Sequence, residues 1–125
     1  MKVVWISHRA DLGGAEAGLV EAAVALRPLG IKSHALLPSS GQFAESLASA
    51  AVPFSITPYR WWMSSRGSPR SRGRNIVEVA NLVMWGRLRS KLRALRPDVV
   101  VTNSMTVVAG AIAARSLGIP HVWYI

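Results

Sequence analysis

The stretch VVWISHRADLGGAEAGLVEAAVAL, residues 3–26, decides the fold class of this 125-residue chain. It begins with a continuous apolar run rich in β-branched residues, which is typical of a strand covered on both faces. Two adjacent glycines, Gly13 and Gly14, follow a short polar segment, and from Glu16 onward apolar residues recur at helical spacing. A strand, a glycine turn and a helix in this order predict the first unit of a parallel sheet.

The alternation of strand and helix continues along the chain. Short apolar runs predict four further strands at residues 34–37, 53–56, 98–102 and 121–125. Apolar residues at helical spacing predict further helices at 43–51, from about 75 to 95, and from 107 to 117. These elements predict a Rossmann-like α/β fold with three layers, α/β/α, and a parallel sheet of about five strands in the order 3-2-1-4-5.

Such a sheet has a crevice at the carboxyl ends of its first and fourth strands, where the direction of winding reverses. Gly13 and Gly14 follow the first strand, and Asn103 and Ser104 follow the fourth, so both pairs are expected at this crevice. A glycine turn before a helix suits a phosphate, but it also suits a tight turn that needs glycine for its backbone angles. The spacing of Gly13, Gly14 and Gly18 matches neither the dinucleotide fingerprint nor the P-loop. The predicted position of Gly13 and Gly14 at the crevice favours the interpretation that their loop faces a ligand.

The histidines are His8, His34 and His121, and none has a metal-ligand spacing to another histidine or to an acid. The last two lie in predicted strands, where a structural role is expected, whereas His8 follows the first strand and is a candidate for the crevice. The chain has no cysteine and no pattern of a catalytic triad or of paired acids. No metal and no cofactor are therefore predicted.

The net charge of +9 comes from one segment of the chain. Residues 60–96 hold ten arginines and lysines and one acid, whereas the other residues hold five of each sign. Glycine, serine, proline and arginine predict a mobile basic loop at about 64–74. The residues assigned to a basic and aromatic surface are Arg60, Trp61, Trp62, Arg66, Arg70, Arg72, Arg74, Arg89 and Arg93. An anionic membrane or a phosphorylated acceptor suits this surface, simple solvation is the alternative, and no nucleic-acid motif is present.

The first apolar run is too short for the core of a signal peptide, and no window reaches the length of a membrane span. We therefore expect a cytoplasmic protein, with peripheral attachment to the membrane as an option for the basic surface.

Three stretches resemble the first Rossmann-like domain of GT-B glycosyltransferases, above all the large retaining family 4. They are VVWISHRADLGGAE at 3–16, SSGQFAESLASAAVPFSI at 39–56 and RPDVVVTNSMTVVAGAIAARSLGIPHVWYI at 96–125. The resemblance covers almost the whole chain except residues 60–75. It implies the N-terminal, acceptor-side domain of an enzyme that transfers a sugar from a nucleotide sugar to a glycan or lipid-linked acceptor.

The resemblance also implies roles for individual residues. Gly13, Gly14 and Glu16 would form the loop near the phosphate and sugar of the donor. The acceptor cleft would include His8, Arg9, Asn103 and Ser104. The functional polar residue that the family places after its fifth strand would lie beyond Ile125, and a second domain would supply most donor contacts without a metal ion.

This chain on its own is therefore expected to lack transferase activity and, with one side of the cleft uncovered, to be able to self-associate. Two alternatives remain open from the sequence. One is a sugar-nucleotide epimerase domain with the same fold. The other is a non-catalytic basic module that binds anionic membrane or nucleic acid.

Overall fold

Five short strands form one sheet in the computed structural model, which describes residues 1–7, 13–57, 85–103 and 108–124. The strands are β1 (Lys2–Ser7), β2 (Lys32–Leu37), β3 (Phe54–Ile56), β4 (Val99–Asn103) and β5 (His121–Tyr124). All neighbouring pairs are parallel and the order is β3-β2-β1-β4-β5. The predicted fold class and strand order are confirmed.

Helices connect the strands. They are α1 (Gly14–Leu26), α2 (Gln42–Ser49), α3 (85–95) and α4 (Val108–Ser116), and a short 3-10 helix (Arg27–Leu29) extends α1. Gly30 ends this extension with a φ of 78°, a left-handed conformation that glycine adopts without strain. The predicted start of the long helix near residue 75 and the predicted basic loop at 64–74 lie outside the described residues.

The core has two halves, one on each face of the sheet. Alternate residues of β1 point to opposite faces, so Val3 and Trp5 pack in one half and Val4 and Ile6 in the other. The first half also contains Leu19, Ala23, Leu37, Phe43 and Leu47, and the second contains Leu36, Leu88, Leu92, Val100, Ala113 and Ala114. Helices α1 and α2 thus cover one face, while α3 and α4 cover the other.

Strand β5 is less covered than β1 and β4. Within the described residues, Val122, Trp123 and Tyr124 are 50, 38 and 43% exposed. The reason is position, because β5 is an edge strand whereas β1 and β4 lie inside the sheet. The ring of Tyr124 still packs edge-on against Trp5, with ring centroids 6.3 Å apart.

Candidate functional site

The carboxyl ends of β1 and β4 meet at the crevice that the strand order predicts. Ser7 is paired with Asn103 in the parallel register, and both side chains are buried. The Asn103 side-chain amide donates a hydrogen bond from Nδ2 to the carbonyl oxygen of Ala15, at 2.9 Å. This bond joins the end of β4 to the first turn of α1, across 88 residues of sequence. The structure therefore brings Asn103 and the glycine turn together.

Gly13 is the N-cap of α1, but its backbone angles do not require glycine. Its φ of −104° and ψ of −173° describe extended backbone that any residue adopts. The close contact at this residue is with the carboxylate of Glu16, whose Oε2 accepts a hydrogen bond from the Gly13 N–H at 3.1 Å. A Cβ atom at residue 13 would lie only 2.8 Å from that oxygen. The group that approaches this backbone closely is thus a side chain of the protein itself.

The carboxylate of Glu16 acts on the amino terminus of α1 in two ways. It lies in the first turn, where the helix dipole favours a negative charge, and it satisfies a backbone donor as the second half of a capping box does. The side chain is only 1% exposed, so it is part of the interior. A phosphate at the Gly13 N–H would have to displace this carboxylate. In the described structure Glu16 and Gly13 thus form an internal contact, and their assignment to the donor loop stays a prediction.

Gly14 differs from its neighbour. It is exposed, and a Cβ atom there would meet no atom within 4 Å among the described residues. The predicted donor loop consequently divides into an inward part, Gly13 and Glu16, and an outward part at Gly14. In the described structure the outward part is exposed to solvent. The Gly-x-x-Glu spacing, which joins an N-cap to the third helical position, was the sequence signal for this division.

Tyr124 is a further residue at this edge that the sequence did not single out. It is paired with Asn103 in the register of β4 and β5. Its hydroxyl oxygen lies 3.6 Å from the position that a Cβ atom would take at Gly18. The phenol thus lies against α1 beside the crevice, with 43% of the residue exposed. An aromatic residue at the carboxyl end of a strand is the only signal in the sequence that could have indicated it.

The two described histidines are half-buried, and each lies within hydrogen-bond distance of a hydroxyl group on a neighbouring strand. Nε2 of His34 lies 2.8 Å from Oγ of Ser55, and Nε2 of His121 lies 2.6 Å from Oγ1 of Thr102. Burial lowers the pKa of both imidazoles, and for His34 the charges of Lys2 and Lys91 lower the pKa further. These contacts agree with the structural role expected for both residues.

The other predicted site residues divide between described and undescribed parts. Arg89 donates from Nε to Oγ of Ser116 at 3.1 Å and so joins α3 to α4, whereas Arg93 is exposed. The assigned residues that lie outside the described ranges are His8, Arg9, Ser104, Arg60, Trp61, Trp62, Arg66, Arg70, Arg72 and Arg74.

Two kinds of feature are absent from the described ranges, a metal-binding cluster and a membrane-spanning helix. Those ranges contain no group of three or more histidine, cysteine or acidic residues that could hold a metal ion. They also contain no helix of the length and apolarity that a membrane span needs.

A family model shows what class of protein has this fold and crevice. The model described as "Glycosyl transferase 4-like domain" matches residues 13–125, which include the glycine turn and every strand after β1. The chain belongs to this family. A search of curated proteins found no sequence that matches it.

Several solved structures share the fold at low sequence identity. Anabaena HepE in complex with UDP is 20% identical, with a TM-score of 0.70, over 98% of this chain and 29% of HepE. Acinetobacter baumannii MurG is 19% identical, with a TM-score of 0.73, over 98% of this chain and 34% of MurG. The C-terminal domain of a Pyrococcus furiosus hydrogenase is 15% identical, with a TM-score of 0.60, over 99% of this chain and 90% of that domain.

These likenesses establish the fold, and the hydrogenase domain illustrates that one fold can serve different chemistry. HepE and MurG are both longer chains than this one. This chain spans about a third of the length of each of them, 29% of HepE and 34% of MurG.

Proposed function

We propose that this chain is the N-terminal, acceptor-side domain of a two-domain glycosyltransferase. The whole enzyme would transfer a sugar from a nucleotide sugar to a glycan or lipid-linked acceptor, with retention of configuration and without a metal ion. The observation that carries the proposal is the bond from Asn103 to Ala15, because it fixes the first turn of α1 at the crevice. Ligands of open α/β sheets bind at that crevice, and membership of the family supports glycosyl transfer as the reaction.

Within this proposal the donor approaches the outward part of the turn. The N–H groups of Gly14 and Ala15 belong to the first turn of α1, where backbone donors have no partner inside the helix. Both residues are exposed, so a sugar hydroxyl or phosphate oxygen can reach them without moving Glu16. Asn103 holds the turn in place through its hydrogen bond to the carbonyl oxygen of Ala15. A second domain supplies most contacts to the nucleotide, and the N-terminal domain alone transfers no sugar.

The acceptor and the location of the enzyme belong to the same proposal. His8, Arg9 and Ser104 would line the acceptor side of the crevice. The excess charge of residues 60–96 would hold the enzyme at the cytoplasmic face of an anionic membrane, where lipid-linked acceptors are found.

The ligand class can be tested by nuclear magnetic resonance on the ¹⁵N-labelled chain. HepE is known in complex with UDP and with UDP-glucose, so these two compounds are the probes and NADH is the control. We expect weak, saturable shifts of the Gly14, Ala15 and Asn103 amides with UDP-glucose, and smaller ones with NADH. Larger shifts with NADH at these amides would contradict the proposal, and so would sugar transfer catalysed by this chain alone.

A further inference from the structure

A groove lies between the edge of the sheet and helix α3, away from the α1 turn. It has a volume of about 410 Å³, a size typical of small-molecule sites, and it is open to solvent. One wall is the end of β3, with Ile56 and Thr57, and the other is one face of α3. Because β3 and β1 are separated by β2, the groove is two strands away from the crevice.

The helical repeat determines which residues of α3 form the second wall of the groove. Leu88 and Leu92 are fully buried under the sheet, which fixes the rotation of the helix. The residues that then face the β3 edge recur three or four positions apart, and they are Arg87, Ser90, Lys91 and Ala94. The groove therefore presents two cations and two hydroxyl groups, the second hydroxyl being that of Thr57.

The two cations of the groove have no partner among the described residues. Neither Arg87 nor Lys91 forms a hydrogen bond or an ion pair there, whereas Arg89 on the neighbouring face is bound to Ser116. Lys91 is half-buried, and its charge helps to lower the pKa of His34 on β2. The described part of α3 contains four basic residues and no acid, so the charge of the groove is not compensated within residues 85–95.

We infer that this groove is an anion site that takes a phosphate group. An arginine offers a planar pair of donors that matches phosphate, a lysine adds a point charge, and hydroxyl groups complete the oxygen contacts. The phosphate can come from a soluble phosphate compound or from a lipid headgroup. The site is independent of the proposed transfer reaction, because it uses none of the residues of the crevice.

The test compares two double variants that remove the same charge. Arg87→Gln with Lys91→Gln changes the groove, while Lys32→Gln with Arg115→Gln changes two exposed basic residues outside it. Inorganic pyrophosphate is titrated into each ¹⁵N-labelled protein, and the amides of Thr57, Ser90 and Lys91 are followed. All substituted residues are exposed or half-buried, and the spectra themselves report whether each variant is folded.

We expect saturable shifts in the wild type and in the control variant. In the groove variant the affinity should fall about tenfold or more, because each lost cation removes a charge-assisted hydrogen bond. Shifts that do not saturate, or an equal loss of affinity in the two variants, would overturn the inference.

A second arm identifies the source of the phosphate. Each protein is sedimented with vesicles of phosphatidylcholine alone and with vesicles containing equal amounts of phosphatidylcholine and phosphatidic acid. Binding to the acidic vesicles that only the groove variant loses supports a lipid headgroup. Equal vesicle binding by all three proteins, together with loss of pyrophosphate binding in the groove variant, supports a soluble phosphate compound.

Discussion

Replacing Gly13 with alanine would put a methyl group where the carboxylate of Glu16 now lies. The new Cβ atom would be 2.8 Å from Oε2, a separation that Cβ atoms essentially never show, so the carboxylate would have to shift. The backbone angles of residue 13 suit alanine, so the whole penalty comes from the displaced carboxylate. That carboxylate would lose its 3.1 Å hydrogen bond to the Gly13 N–H. Because the side chain is only 1% exposed, a bond to water does not readily replace it.

The expected loss of stability follows from these contacts. A hydrogen bond to a charged group contributes about 1.5–3 kcal/mol, so Gly13→Ala should lower the free energy of unfolding by about 2 kcal/mol. For a domain of this size that corresponds to a decrease of roughly 6–10 °C in Tm. Thermal unfolding followed by circular dichroism measures it directly.

Gly14→Ala is the matched control, because a Cβ atom there meets nothing within 4 Å in the described structure. Its Tm should be unchanged or slightly higher, since alanine favours the helix. A double-mutant cycle adds a second check: with Glu16→Ala in place, Gly13→Ala should cost less than about 0.5 kcal/mol. Equal Tm values for the two glycine variants, or an undiminished cost in the Glu16→Ala background, would refute the role assigned to the carboxylate.

Three further predictions concern the sheet and its contacts. Gly110→Val should lower the free energy of unfolding measured in urea by about 1–3 kcal/mol, because a Cβ atom there would lie 2.6 Å from Cδ1 of Ile6 in the core. Asn103→Ala removes the bond to Ala15 and should cost about 1–3 kcal/mol in the same assay, with amide shifts in the first turn of α1. The lowered pKa of His34 means that the unfolded chain takes up a proton first, so stability should fall as pH decreases below about 6.5, and His34→Gln should reduce this slope in a series of unfolding curves.

The sequence was sufficient to predict the strand order and the meeting of two distant segments. Uniformly apolar strands separated by helices leave few topologies, because parallel connections are right-handed and the winding reverses once. Asn103 and the glycine turn were therefore expected at one edge, and the bond between Asn103 and Ala15 joins them there.

The division of roles within the turn was not predicted, for a reason of packing. The sequence placed Glu16 in the first turn of α1, but burial depends on how the turn sits on the ends of β1 and β4. That placement makes Glu16 an internal anchor and leaves Gly14 exposed. Neither interpretation of the glycines, as an anion cradle or as a tight turn, included the carboxylate of Glu16.

The sequence also could not show which face of α3 carries basic residues without a partner in the described structure. Spacing along the chain drew attention to Arg89 and Arg93, which share a flank of the helix. Only the packing of α3 against the sheet determines that Arg89 bonds Ser116, while Arg87 and Lys91 line a groove with no described partner. A helical pattern gives relative angles around the helix, whereas the absolute rotation comes from tertiary contacts.

The position of the bound nucleotide is the most direct test of the proposed function. UDP carrying a nitroxide label broadens the amide signals of nearby residues. The edge of the sheet formed by the carboxyl ends of the strands is compared with the opposite edge, formed by their amino ends. We predict broadening at Gly14, Ala15 and Asn103, and none at Lys32 and Val52 beside the opposite edge. Broadening at that opposite edge, or equal broadening at both edges, would contradict the assignment of this chain's crevice to a nucleotide sugar.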